Sequence, residues 1–444
     1  MLIHRIAPWS RAGKGVGTFL IDTVEVEASP HVAHADRHVR YLNAPCNLRI
    51  VARLTCVSGD RQRQNIGILS ALAFSQGLFL GGDNDETGRR RTTTPSDATG
   101  GAVLATSRAM EYFPKDQWAR YDYNGCLSRG QLTRMGRFEN AAGLSIAFYS
   151  WEVPNPKGVV IFSHGHGVHA TFELLNSPKA PGIRTEYPGT WAESLNKAGY
   201  SLFALDHQGH GRSDYARGKR CYFERLQDLV NDFKRFVRLV RQEVGQELPT
   251  FLLGMSMGGF VVVNAAIEDE NLADGVVLLA PMLSLDRLAS RGINKVLLPL
   301  VTMISVFLPT LPVAETAKNI KFPHSQLEVE MDDLTYPSGV TRTRCRVAAE
   351  YYIGTKRTQT LMHKMKIPFI TFHGKDDQMT DPASSEMLYD RASSSDKTLQ
   401  WVENVFHDLM HEKPTSNDII AAIVNWLSDR TVGSKPKRKS RAPR

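Results

Sequence analysis

From about Tyr149 onward, short apolar runs alternate with longer amphipathic stretches. That is the pattern of a mostly parallel sheet covered by helices, because strands buried on both faces read as continuous Val/Ile/Leu/Phe runs. The runs "GVVIFS" (158–163), "YSLFALD" (200–206), "TFLLGM" (250–255), "GVVLLA" (275–280), "PFITFHG" (368–374) and "LQWVEN" (399–404) predict six strands. Between them, "FERLQDLVNDFKRFVRLVRQEV" spaces Leu226, Leu229, Val230, Phe233, Phe236, Val237 and Val240 for one face of a helix. Near the end, "SNDIIAAIVNWLSDR" predicts another helix, with Ser416 as its N-cap. The fold class is α/β.

The first 109 residues differ. Segments such as "GGDNDETGRRRTTTPSDATGG" lack the apolar periodicity that repays ordering entropy, so residues 1–109 read as a mostly disordered extension. Its first twenty residues carry Arg5, Arg11 and Lys14 and no acid, the composition of an organelle-targeting leader as well as of an unstructured terminus. The uncharged run Ile66–Gly82 approaches the length of a membrane anchor but contains glycines and Gln76. A second uncharged run, Val296–Ala314, is broken by Pro299, Pro309 and Pro312 and lies where strand–helix alternation lapses, between Pro281 and about Tyr352. It reads as part of an inserted helical cap over about 283–352, within a main domain of 110–433.

Composition is that of an ordinary globular chain, with 42% hydrophobic and 23% charged residues. Five scattered cysteines without CxxC spacing predict neither a disulfide framework nor a zinc site, and fit a reducing compartment. Of the net charge of +8, six basic residues sit in the tail 434–444 (Lys435, Lys437, Arg438, Lys439, Arg441, Arg444), which reads as a disordered tail able to meet anionic lipid. Nothing has the motif grammar of a nucleic-acid binder.

Candidate chemistry centres on "GMSMGG", in which Gly254, Ser256 and Gly258 form GxSxG between a strand and a helix. So sharp a turn strains the serine backbone and leaves no room for side chains at the glycine positions. A serine hydroxyl needs a base and an orienting carboxylate, which follow it in that chain order. "FHGKDDQMTDP" supplies Asp377, three residues past Gly374, with Asp376 as its rival; "NVFHDLMHE" supplies His407, with His411 one turn on. For the oxyanion hole, the backbone N–H groups of Met257 and of His166 in "FSHGHGVH" are the candidates. His164, His166 and His169 lack a carboxylate or cysteine at ligand spacing, so neither metal nor other cofactor is expected. In "LDHQGHGRSD", Asp206 and His210 are expected to fix a loop rather than to catalyse.

These segments, in order over about Gly136–Arg430, resemble the α/β-hydrolases of the monoacylglycerol lipase and lysophospholipase type, serine aminopeptidase S33-like hydrolases. The resemblance implies Ser256, Asp377 and His407 as triad, His166 and Met257 as oxyanion donors, and a lipid monoester as substrate, without cofactor. The apolar cap stretch and the basic tail of this sequence fit a cytoplasmic or peripherally membrane-bound enzyme that touches lipid through both. Departures are Met255 where histidine is commoner, Val168 in place of a frequent acid, and the long link "ATFELLNSPKAPGIRTEYPGTW", similar to protozoan members. The same residues also serve an acyltransferase or thioesterase, and a silent hydrolase fold used for binding is the reading from another class. An epoxide hydrolase would carry aspartate in place of Ser256.

Overall fold

A computed structural model describes residues 18–29, 46–57, 63–75, 109–115, 117, 132–175, 187–290, 294–315, 335 and 342–432. The chain divides into two units, Met1–Ala102 and Val103–Arg444. In the first, strands β1 (Thr18–Ser29), β2 (Cys46–Val57) and β3 (Arg63–Ser75) pair antiparallel in the order β1-β2-β3. Within the extension expected to be mostly disordered, these three segments are strands, and most of the rest of it lies outside the described residues. The sequence reason is local: Leu48, Ile50, Ala52 and Leu54 alternate with Arg49, Arg53 and Thr55, a near-period of two broken only at Val51, which the region's polar average conceals. Ile66–Ser75 is accordingly extended, not a helical anchor; the rest of that run, the leader and the basic tail lie outside the described residues.

The second unit is built on a nine-stranded sheet. Short β4 (Glu111–Tyr112) leads to β5 (Arg134–Glu139) and β6 (Ser145–Trp151), antiparallel strands absent from the sequence reading. Then come β7 (Gly158–Ser163), helices α1 (Ala170–Leu174) and α2 (Trp191–Lys197), β8 (Tyr200–Leu205), α3 (Leu226–Val244), β9 (Thr250–Met255), α4 (Met257–Glu268) and β10 (Gly275–Leu279). An insertion follows, with α5 (Asp286–Ala289), α6 (Asn294–Phe307) and the two-stranded pair β11 (Pro312–Glu315) and β12 (Arg342–Arg344). Helix α7 (Cys345–Leu361) returns the chain to β13 (Phe369–Gly374), α8 (Ala383–Arg391), β14 (Lys397–Val402) and α9 (Thr415–Val432). The sheet order is β14-β13-β10-β9-β7-β8-β6-β5-β4, parallel from β14 to β8 and antiparallel beyond.

Alternation within the strands sends side chains to two cores. Val159 and Ile161 of β7 join one with α3, α4 and α7; Val160 and Phe162 join the other with α1, α2 and α9. All seven apolar positions expected on one face of α3 are buried. Ser416 is a correction: α9 starts at Thr415, and the Ser416 hydroxyl accepts from Trp191 Nε1 at 2.9 Å and donates to the Met410 carbonyl at 2.6 Å. It joins the helix to α2 and the loop before it, a tertiary role that local sequence does not encode.

The strand order also places the site. β7 is followed by β8 on one side and bonded to β9 on the other, so the loops leaving β7 and β9 diverge and open a crevice at the carboxyl ends of the strands.

Candidate active site

Ser256 joins β9 to α4 with φ 53° and ψ −114°, a left-handed backbone that a non-glycine residue adopts at a cost of about 1–3 kcal/mol. Its N–H donates to the Leu279 carbonyl at 2.9 Å, and its carbonyl accepts from Phe260 N at 3.2 Å and Met282 N at 2.9 Å, which hold the strained turn. The glycines around it are steric necessities. A Cβ on Gly254 would sit 2.6 Å from the Gly258 carbonyl oxygen, one on Gly259 2.7 Å from Pro281 Cβ, and one on Gly258 inside the Ser163 carbonyl oxygen.

His407 Nε2 lies 3.0 Å from Ser256 Oγ, and His407 Nδ1 lies 2.7 Å from Asp377 Oδ2. The sequence-predicted serine, base and acid are thus joined by one chain of hydrogen bonds. Asp377 is fully buried; its Oδ1 accepts from Met379 N at 2.7 Å and Thr380 N at 3.0 Å, and its Oδ2 from Thr380 Oγ1 at 2.7 Å. Burial opposes its charge, but His407 and His373 outweigh that and hold the carboxyl well below the usual range. Burial likewise opposes protonation of His407, and the Asp377 carboxylate more than compensates, raising the imidazole above its ordinary value.

The rivals lie elsewhere. Asp376 is exposed in the turn that follows β13. His411 is tied through Nδ1 to Asp408 at 2.9 Å and through Nε2 to the Phe172 carbonyl at 3.2 Å. His169 is the N-cap of α1, accepting from Phe172 N at 3.3 Å. His164 donates from Nδ1 to the Gly165 carbonyl and accepts from His207 N at 2.8 Å through Nε2; burial lowers its pKa to about 4, so it is a neutral tie between two loops.

The loop after β7 is set against the serine, since a Cβ on Gly165 would be 3.6 Å from Ser256 Cβ. Tyr351 of α7 links the two candidate oxyanion residues, its hydroxyl lying 2.7 Å from His166 Nδ1 and 3.1 Å from Met257 Sδ. Met257 opens α4, so its N–H belongs to the first turn, where helices lack internal acceptors and carry positive dipole. Asp206 fixes the neighbouring loop through Ala170 N, Arg212 N and Tyr149 Oη, at 2.9, 2.8 and 2.6 Å.

Three supporting residues escaped the sequence reading. Glu412, 1% exposed, accepts the N–H groups of Phe406, His407 and Asp408 at 2.6, 3.1 and 3.0 Å and so shapes the histidine loop. Glu173 accepts from Gly165 N at 3.2 Å, and burial, reinforced by Asp408, pushes its carboxyl well above the ordinary value. Tyr351 is the third. A carboxylate five residues after the base was visible as the last letter of "FHDLMHE", but its burial was not.

The model of the serine aminopeptidase, S33 family matches residues 185–414, more than half of the chain. The chain belongs to this family. Human monoglyceride lipase is 29% identical over 303 residues, covering 66% of this chain and 89% of its own length. The monoacylglycerol lipase of Mycolicibacterium smegmatis is 26% identical over 297 residues, covering 65% and 95%. Among solved structures, a soluble variant of the Saccharomyces cerevisiae monoglyceride lipase in complex with a substrate analog superposes with TM-score 0.54 at 22% identity, covering 66% of this chain and 93% of that one. The S33-family chain therefore has the expected α/β-hydrolase fold, a mostly parallel sheet flanked by helices.

Proposed function

We propose that the protein is a serine hydrolase that cleaves the ester bond of lipid monoesters, monoacylglycerol or lysophospholipid, through an acyl-enzyme on Ser256. The observation that carries this reading is the hydrogen-bonded series Ser256, His407, Asp377 at the mouth of the crevice. His407 Nε2 takes the Oγ proton as Ser256 attacks the ester carbonyl, and returns it to the departing alcohol as the C–O bond breaks. Water, deprotonated by the same nitrogen, then releases the acid and restores the serine. Asp377 keeps the proton of neutral His407 on Nδ1 and stabilises the imidazolium. The backbone N–H groups of His166 and Met257 hold the oxyanion. The working domain is residues 110–433.

Two observations favour a lipid substrate: the names of the relatives, and the apolar end of α6. There Phe307 is 83% exposed, Val306 63% and Met303 49%, in the insertion expected to cap the site. Such a rim suits peripheral contact with a lipid surface, to which the basic tail adds charge. Among the described residues no helix is long and apolar enough to cross a membrane.

A fluorophosphonate probe and a panel of monoesters test the reading. Wild type labels and Ser256→Ala does not, and long-chain monoacylglycerol or lysophospholipid is cleaved faster than short soluble esters. Absent labelling rejects the nucleophile, whereas labelling with a preference for short esters rejects the lipid substrate.

A further inference from the structure

Behind the loop after β7, residues from three segments converge. His166 belongs to that loop, His210 to the turn after β8, and Cys221 to the segment leading into α3. One ligand atom from each lies within 4.8 Å of the other two. The cysteine missing at ligand spacing in "HGHGVH" is thus supplied by the fold.

Hydrogen bonding fixes the His210 tautomer. His210 Nδ1 lies 3.1 Å from the Gln208 carbonyl, which can only accept, so Nδ1 carries the proton and Nε2 the lone pair. That Nε2 is buried without a hydrogen-bond partner, on a residue 2% exposed. An unanswered lone pair in so closed a place calls for an explanation. The Tyr351 hydroxyl lies 2.7 Å from His166 Nδ1 and 3.1 Å from Met257 Sδ; with its proton on the sulfur it accepts from Nδ1, and the His166 lone pair is then on Nε2. A ring nitrogen donating to a carbonyl or hydroxyl while the other stays bare is how metal-binding histidines are held. Cys221 is a free cysteine, 5% exposed, with its N–H fixed on the Gly209 carbonyl at 2.7 Å.

We propose that His166, His210 and Cys221 form a binding site for a soft divalent cation of the zinc type, beside the oxyanion loop and using none of the triad side chains. Two imidazole nitrogens and a thiolate are a zinc donor set, with a fourth position left for water. At zinc–ligand lengths of about 2.0–2.3 Å, tetrahedral donors stand about 3.3–3.6 Å apart, so three ligand atoms now within 4.8 Å of one another draw together by roughly 1 Å. On binding, the Cys221 S–H bond breaks, an S–metal bond forms, and the proton passes to solvent. The ion would grip the His166 side chain and stiffen the loop lying against Ser256.

The test uses the full-length, reduced, chelator-treated protein. Zn²⁺ titrated in competition with a chromogenic chelator is taken up at one equivalent, and Co²⁺ produces the near-ultraviolet absorption of a cobalt–thiolate bond. Cys221→Ser abolishes that band and weakens Zn²⁺ uptake beyond the ~10–100-fold typical of losing an outer partner. Serine occupies the same small volume, so the circular dichroism spectrum stays that of wild type. His210→Gln, followed by the same two readouts, loses the uptake if Cys221→Ser does not fold. Absence of stoichiometric uptake by wild type overturns the proposal, and so does uptake undiminished in both variants.

Discussion

Only the neutral form of His407 accepts the serine proton, and Asp377 raises the pKa of that imidazole. kcat/KM is therefore expected to rise with pH through a midpoint above the ordinary histidine value of about 6.5 and to level off in alkali. Asp377→Asn removes the raising charge, so the midpoint moves to lower pH while the plateau falls by roughly 10⁴-fold. A pH–rate profile of both proteins checks the sign, and Asp376→Asn should leave it unmoved. His407→Ala is expected to cost on the order of 10⁶-fold in kcat and His411→Ala less than ~10-fold. Glu412→Ala leaves three buried N–H groups without their acceptor, and at about 1–3 kcal/mol for each unsatisfied group it should lower the unfolding free energy by several kcal/mol. Denaturant titration measures that loss. At this scale the sequence reading named three candidates that the structure joins by hydrogen bonds, and missed the residues that surround them. Ser256, Asp377 and His407 announce themselves by chain order beside strand ends, whereas Glu412, Glu173 and Tyr351 matter through what surrounds them, which no linear spacing displays.

Strands and helices were legible where one periodicity ran unbroken. β7 and β9 were read residue for residue, because each is apolar on both faces and bounded by polar or glycine-containing turns. β14 was displaced by two residues, since its outer position leaves Gln400 and Trp401 exposed and dilutes the pattern. β5 and β6 mix Arg134 and Arg137 with Ser145 and Ser150 and gave no clear run. Helix α7 begins inside the stretch expected to be cap, and its Gly354 packs where a Cβ would meet Leu226 Cδ2 at 2.7 Å, so this helix carries the chain out of the insertion into the core. Two predictions belong here. Gly258→Ala forces a methyl into the Ser163 carbonyl and should abolish soluble expression or depress Tm by many degrees, in contrast to Gly143→Ala, whose Cβ would meet nothing within 4 Å and which should cost only the roughly 1 kcal/mol of its positive φ. Val306→Ser with Phe307→Ser should lower turnover of long-chain monoesters severalfold and leave short-chain esters unchanged, as parallel assays would show; equal loss on both would make this end of α6 structural.

For the whole molecule, the second unit contains every residue of the proposed chemistry, so a chain beginning at Val103 is expected to retain short-chain esterase activity. Loss of activity in that chain would mean that the three-stranded N-terminal unit contributes to the active fold. The fold class was legible because alternation is a property of the whole sequence; the N-terminal strands were not, because a polar average over 109 residues hid a local period of two.

The bond between His407 and Ser256 joins positions 151 residues apart, across the strand pairs β9-β10, β10-β13 and β13-β14. During synthesis the serine turn is complete long before its base has been translated. A nascent chain therefore displays Ser256 as an ordinary, unreactive alcohol, and nucleophilicity appears only when the last parallel strand docks and brings its loop over the crevice. Such long-range parallel pairing is slow to form. Recovery of probe labelling after dilution from denaturant should accordingly lag behind the return of helical circular dichroism, a delay that keeps half-made protein from acylating itself.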